Sequence, residues 1–242
     1  MKPLRLFLPA GLLFASLLPA PAHAYLNPYV RVGFGGHQAR MNDMNNAIGA
    51  EVALAQNGGV PVETQFVGPG FGPQVSAGLW LFPGLRAGLT YGEQTSNVRN
   101  EYRESGFLYA DNFQLGLREI GLEAAVRVPR LAGLTFAGQV AQGRATFERE
   151  YALENVHGNY YETTTGDHSA RTYGVTVGFD QTNERGVAGF LLVGYHRRVL
   201  GAVPSTFVMD DNGAVSQSPV DSPALDFSGW SVRAGFGFDL NW

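Results

Sequence analysis

Residues 230–242 read WSVRAGFGFDLNW. Every second residue, Trp230, Val232, Ala234, Phe236, Phe238, Leu240 and Trp242, is apolar. The residues between them, Ser231, Arg233, Gly235, Gly237, Asp239 and Asn241, are small or polar. Successive side chains of a strand point to opposite faces. The segment therefore predicts a strand with one wholly apolar face and one face that carries charge. The sequence around it decides which face meets water.

The same two-residue period recurs seven more times, bounded by Gly, Pro, Asn and Asp, while a 3.6-residue period is nearly absent. The segments lie at about 28–37, 73–82, 85–97, 112–128, 132–150, 169–181 and 186–199. The fourth contains an apparent phase slip. Phe113, Leu115 and Leu117 are odd, whereas Ile120, Leu122, Ala124, Val126 and Val128 are even. A bulge near Arg118-Glu119 is the expected remedy, since one extra residue restores the register. In the seventh segment Val187, Leu191, Val193 and Tyr195 form the expected apolar face, opposite Phe190, Leu192, His196 and Arg198; the alternative assignment turns Phe190 and Leu192 outward.

Connection lengths alternate. The stretches at 82–85, 128–133 and 181–186 are short and rich in Pro, Asn or Gly; those at 38–72, 98–111, 151–168 and 200–226 are long. This predicts an all-β chain, an eight-stranded antiparallel up-and-down barrel with every long loop at one end. A period of two does not separate a soluble barrel from a membrane barrel. Three features favour the membrane. The polar face is rich in Gly, Ser, Thr and Arg, which suits a narrow, charge-paired interior. The apolar segments have the length of a tilted spanning strand. Aromatics such as Tyr91, Tyr173, Phe179, Tyr195, Trp230 and Trp242 fall near segment ends, where interface girdles sit. In lipid every backbone NH and CO must pair internally, so a sheet that spans must close. The full expectation is a transmembrane β-barrel with four long extracellular loops, three short periplasmic turns and both termini in the periplasm.

Composition agrees with export. Residues 1–24 combine Lys2 and Arg5, an apolar run and Ala22-His23-Ala24, the three parts of a secretory signal peptide. Cleavage after Ala24 leaves residues 25–242 as one barrel domain. That domain holds 15 bases and 21 acids, a net charge of −6, which argues against a nucleic-acid partner. It has no cysteine, so neither a lipid-anchoring Cys nor a disulfide framework is expected. All its bases are Arg, a residue suited to buried ion pairs and to bidentate contact with phosphate or carboxylate.

The signal peptide, the eight strands and the final aromatic resemble the small bacterial outer-membrane β-barrels of the OmpA/OmpX transmembrane type. The resemblance is architectural. Its most specific part is F-x-F-x-L-x-W, where Phe236, Phe238, Leu240 and Trp242 look like the C-terminal signal read by the outer-membrane insertion machinery. It implies a Gram-negative outer-membrane location. Outer-membrane lipids, lipopolysaccharide and the insertion machinery are the implied partners. Nothing after Trp242 suggests an appended peptidoglycan-binding domain, a departure from full-length OmpA, so cell-wall anchoring of that kind is not expected.

An eight-stranded interior is just wide enough to be filled by side chains. Arg31, Arg86, Glu119, Glu123, Arg127, Asp180, His196, Arg198, Arg233 and Asp239 are the expected lumen residues. Five positive and four negative groups read as a salt-bridge plug, with a selective path as the alternative. No catalytic signature is present. His168-Ser169 is adjacent without nucleophile–base spacing, His37 and His157 stand alone, and Asp210-Asp211 in MDDNG reads as a hairpin tip. No His or Cys pair has metal-ligand spacing. Neither a cofactor nor an enzyme activity is expected.

The loops carry more. MNDMNNAIGAEVALAQ, 41–56, places Met44, Ile48 and Val52 four apart and predicts a short amphipathic helix. It packs across the barrel mouth, lies on the membrane interface or stays mobile. Residues 150–168, rich in Tyr, Thr and acids, read as a recognition surface or as a polar extension of strands. The last loop reads as mobile. The expected role is structural, or surface interaction with an extracellular partner through the loops, by a monomer. Alternatives are a narrow porin-like channel, a conduit for small hydrophobic molecules, and a lipid-modifying enzyme.

Overall fold

Eight of the chain's strands close into an antiparallel ring: β1 Asn27–Ala39, β2 Gly70–Phe82, β3 Leu85–Glu104, β4 Phe107–Arg127, β5 Leu134–Asn155, β6 Gly158–Thr182, β7 Val187–Arg197 and β12 Gly229–Asp239. Each pairs with its neighbour in sequence, and β12 pairs with both β7 and β1. The computed structural model describes residues 26–240 apart from 129, 130, 132 and 202. The expected signal segment 1–24 and Trp242 lie outside the described residues.

The hydrogen-bonded row that starts at Trp80 passes through Arg86, Ala125, Ala137, Thr176, Gly194, Ser231 and His37, and returns to β2 at Gly70, ten residues from its start. Such a stagger tilts the strands and leaves an interior that side chains fill. The three short turns follow β2, β4 and β6. Each has a glycine with positive φ, Gly84 (94°), Gly133 (80°) and Gly186 (78°). In the last, Asn183 Oδ1 accepts from the backbone N–H groups of Arg185 and Val187, which fixes the turn.

Three expectations need correction. First, β4 has no bulge. It pairs without interruption with β3 from Phe107 to Val126 and with β5 from Leu108 to Arg127. The odd residues face inward throughout: Phe113, Leu115, Leu117, Glu119 and Glu123 are all buried, while Ile120 and Leu122 are exposed. The apparent phase slip is an exchange of sides, with apolar residues outside below Arg118 and inside above it. Second, the connection at 98–111 is not an open loop, and that at 151–168 takes the form of a strand extension, one of its two readings. Both are the far ends of long hairpins, β3–β4 and β5–β6, whose tips are two residues each. Third, the last connection is not a mobile loop. It holds β8 Val199–Gly201, a hairpin of β9 Pro204–Asp211 and β10 Ala214–Asp221, and β11 Leu225–Asp226. β9 adds to the free edge of β6 between Tyr160 and Gly166. The β9–β10 tip has both Asn212 (φ 52°) and Gly213 (φ 89°) left-handed, as a type I′ turn requires.

The connection after β1 forms helix α1, Asn42–Asn57. Met44, Ile48 and Val52 are buried on its inner face. They join Leu115, Leu117, Val98, Phe147 and Phe227 in one apolar cluster. The helix therefore fills the mouth of the ring. Burial of each large apolar side chain contributes about 1.5–3 kcal/mol. Polar contacts orient the segment: Asn45 Oδ1 accepts from Val67 N at 2.8 Å, and Asn100 Oδ1 accepts from Gln65 N at 2.6 Å.

Candidate functional site

The inner layers can be followed from the turn end to the loop end. At the turn end Asp180 of β6 is fully buried and meets three arginines from three other strands. Arg86 of β3 donates to its Oδ2 in a short contact. Arg31 of β1 donates through Nε at 3.4 Å and Nη2 at 3.3 Å. Arg127 of β4 donates through Nη2 at 3.3 Å. Arg31 also pairs with Asp239 of β12 at 2.7 Å. Glu123 links Arg86 at 3.5 Å to Arg233 of β12 at 3.8 Å. Higher up, Glu119 forms a bidentate pair with Arg198, at 2.6 Å and 3.0 Å, and accepts a short hydrogen bond from Thr172. His37 and His196 stand beside this pair with ring centroids 5.9 Å apart. His37 Nε2 donates to Phe227 O at 2.6 Å.

The ten lumen residues read from the sequence all face inward. Nine are buried and Arg127 is partly exposed at the turn end. A buried ion is costly unless its partners and hydrogen bonds are in place. Asp180 and Glu123 are each shared between two or more guanidinium groups, Glu119 serves Arg198 and Thr172, and Asp239 serves Arg31 and Thr182, so four carboxylates compensate five arginines. Small residues make the room. A β-carbon added at Gly237 would lie 2.6 Å from Arg31 Cδ, and one at Gly174 would lie 2.4 Å from His196 Nδ1.

Three members escape a reading of charges alone. Tyr29 and Trp80 are buried among the arginines. Arg86 stacks 5.0 Å from the Tyr29 centroid and 5.7 Å from Trp80, and Arg127 lies 4.6 Å from Trp80. These contacts lower the cost of burying cations. Their signal was available, since both aromatics alternate in phase with arginine and serine. Thr172 carried no comparable mark. Above the apolar cluster, Asp111 accepts from Arg149 at 2.7 Å, and Arg149 lies 3.8 Å from Glu51 of α1.

The remaining lumen space is divided. One gap of about 20 Å³ is lined by Arg31, Ser76, Arg86, Glu123 and Arg233. A second of about 20 Å³ is lined by Glu119, His196, Arg198 and Ser231. Each is room for about one water molecule. Among the described residues no cluster of three or more His, Asp or Glu side chains is placed to hold a metal ion. His168 and Ser169 point to opposite faces of β6, so adjacency in sequence does not bring them together.

Outside the ring the surface is apolar. Val30, Val32 and Phe34 on β1, Leu122 on β4, Val175 and Phe179 on β6, and Phe236 and Phe238 on β12 are all exposed. The expected insertion-signal residues Phe236, Phe238 and Leu240 are on this face, at 59%, 49% and 46% exposure. An outside more apolar than the inside is the reverse of a soluble barrel.

These features define a class: an eight-stranded up-and-down β-barrel of the outer-membrane type, with ion pairs inside and an apolar exterior. No protein-family model matches the chain, and no curated protein matches it. Solved structures similar to it include a major outer membrane protein from Thermus thermophilus, at 16% identity and TM-score 0.48, covering 88% of this chain and 99% of that one. The outer membrane protein OprG from Pseudomonas aeruginosa is 11% identical with a TM-score of 0.46, covering 91% and 99%. Neisserial surface protein A is 15% identical with a TM-score of 0.38, covering 88% and 97%. At these values the class rests on the chain's own ring of strands and its own residues.

Proposed function

We propose that this chain spans the bacterial outer membrane as a closed, non-enzymatic barrel and presents its long hairpins as an interaction platform outside the cell. One observation carries the reading. On four neighbouring strands the apolar side chains exchange faces at a single level. Below it Tyr91, Ile120, Val140 and Tyr173 face outward; above it Val98, Leu117, Ala145 and Ala170 face inward. Tyr91 pairs with Ile120, and Val140 with Tyr173, so the exchange runs round the sheet as a boundary. A protein immersed in water on one side of that boundary and in lipid on the other needs this inversion.

Above the boundary β5 continues for eleven residues past Arg144, about 35 Å along the strand. β3, β4, β5, β6, β9 and β10 make one continuous sheet there. Tyr160, Tyr161, Asn159 and Thr163 to Thr165 give its tip the adaptable, tyrosine-rich chemistry of a recognition surface. The plugged lumen and the helix in the mouth support a binding or structural role over conduction.

In this reading residues 1–24 are removed near Ala24, both ends of the mature chain face the periplasm, and the barrel is a monomer. Phe236, Phe238, Leu240 and Trp242 address it to the insertion machinery. The test is electrical. Purified, refolded protein in a planar bilayer should give no stepwise conductance. Regular steps would overturn the closed lumen and favour the channel reading.

A further inference from the structure

Just above the apolar band, the outer surface changes to arginine. Arg118 on β4, Arg144 on β5, Arg171 on β6, Arg197 on β7 and Arg40 after β1 are all exposed and all face outward. The ring's stagger of ten residues over eight strands means that a hydrogen-bonded row climbs by just over one residue per strand. A level line must therefore drop back by two residues at intervals. The arginines do this. Arg118 pairs directly with Arg144, Arg171 pairs with Gln142, and Arg197 pairs with Tyr173. Arg118, Arg144, Arg171 and Arg197 are each a direct or diagonal neighbour of the next, diagonal neighbours lying roughly 7–8 Å apart between α-carbons, while Arg40 lies two strands from Arg197, across Ser228.

The belt is not uniform. Arg118 is neutralised by Glu93 at 2.9 Å, and Arg144 by Asp167. Among the described residues Arg171 and Arg197 make no ion pair. Arg40 reaches across from the end of β1 to lie over the Tyr195 ring at 5.8 Å, two residues from Arg197 on β7. Directly beneath these three are Tyr173, Tyr195 and Trp230, the last two in edge contact at 5.7 Å. Below the aromatics come Val175, Val193 and Val232, all exposed. From top to bottom this sector offers guanidinium groups without counter-ions among the described residues, then amphipathic rings, then an aliphatic wall.

We propose that Arg40, Arg171 and Arg197 bind the phosphate of a membrane lipid in the leaflet on the hairpin side, a glycolipid carrying phosphomonoesters of the lipid A kind. This rests on the membrane reading above. Arg171 and Arg197 at one level, with the Arg40 guanidinium brought down over Tyr195, stand next to pairs that are neutralised internally and call for an anion supplied from outside. A guanidinium accepts phosphate in bidentate geometry. The rings suit the headgroup level, where aromatic residues gather, and the valines suit acyl chains. A free phosphate would use only the top layer; a lipid uses all three.

The experiment is native mass spectrometry of the full chain, folded in detergent, with bisphosphorylated lipid A added. The intact protein should retain the lipid. Arg171→Gln/Arg197→Gln should weaken retention by about 5-fold for each arginine removed, and Arg40→Gln should weaken it in the same direction. Arg99→Gln/Arg103→Gln, an equal loss of charge higher on β3, should leave retention unchanged. Dephosphorylated lipid A should bind no better than neutral detergent, and millimolar inorganic phosphate should not displace the bound lipid. Equal binding of the dephosphorylated lipid would overturn the phosphate role. Equal weakening in the two double variants would reduce the effect to net charge and overturn the site, and displacement by inorganic phosphate would overturn the lipid assignment. Heat-dependent gel migration reports folding of every variant. Its absence in the wild type, with no co-flotation with vesicles, would refute the membrane reading itself. A folded, floating protein without lipid preference would refute only this inference.

Discussion

Asp180→Asn is the sharpest perturbation of the lumen. The carboxylate is fully buried and serves Arg86, Arg31 and Arg127 together. The substitution keeps the shape, removes the charge and turns an amide donor toward guanidinium groups that also only donate. Arg31 keeps Asp239 at 2.7 Å, and Arg86 keeps a longer contact with Glu123 at 3.5 Å. Arg127 is left, among the described residues, with Thr182 as its only polar side-chain contact. Removing one partner of a buried ion pair costs about 3–5 kcal/mol. With two arginines losing most of their compensation, the expected loss is in that range. At a slope of about 2 kcal/mol per molar urea, the unfolding midpoint should fall by on the order of 2 M. The assay is urea unfolding in lipid vesicles, followed by tryptophan fluorescence and by gel migration. Asp180→Asn/Arg127→Gln should recover at least about 1 kcal/mol of the loss, since it removes a stranded charge. A single variant within about 0.5 kcal/mol of the wild type would refute the claim that these ions depend on one another.

Other outcomes follow from the same geometry. Leu122→Arg, on the apolar exterior, should cost about 2–4 kcal/mol, whereas Ser169→Arg, above the boundary, should stay within about 0.5 kcal/mol; both are read by the same unfolding assay. Ile48→Asp should release α1 from the mouth, exposing residues 42–57 to limited proteolysis while gel migration still reports a closed barrel. Deleting residues 238–242 should cut surface levels far more than deleting the β9–β10 tip. Phe238 pairs with Val30 and Asp239 with Tyr29, so the deletion unpairs β1 at the turn end, where the ring must close. With Trp80 or Trp230 as the single tryptophan, brominated lipid should quench Trp230 strongly and the buried Trp80 weakly.

Much of this arrangement was legible in the order of residues. The alternation in 230–242 marks an outer and an inner face, and charges at inner positions such as Arg31, Asp180 and Arg233 mark the lumen. The four-residue spacing of Met44, Ile48 and Val52 marks the helix, although nothing in the spacing says what it packs against. The β5–β6 extension is one of two readings of 150–168, but the full reach of the long hairpins was hidden for a physical reason. Beyond the boundary their outward residues, such as Arg99, Glu101, Gln114 and Thr165, meet water and look like loop, while their apolar residues have moved inside. The segment around Phe113 to Leu122 carried the clue, but read as one continuous lipid-facing strand it demanded a bulge. Read as a strand leaving the membrane, it needs none. The β9–β10 hairpin escaped because β10, AVSQSPVD, is exposed along its whole length and has no buried face to impose a period.

The exchange of faces on β4 is the point on which lipid, lumen and platform all depend. The chain has no cysteine, so single-cysteine spin labels can be placed from 113 to 126 on a clean background. Collision rates with oxygen, which partitions into lipid, and with a water-soluble nickel complex then report each position. Labels at 120, 122, 124 and 126 should meet oxygen. Labels at 114, 116 and 118 should meet the nickel complex, and odd positions should meet neither well. High oxygen collision at 113, 115 and 117, with a shift of phase at 118–119, would restore the bulge and contradict the account.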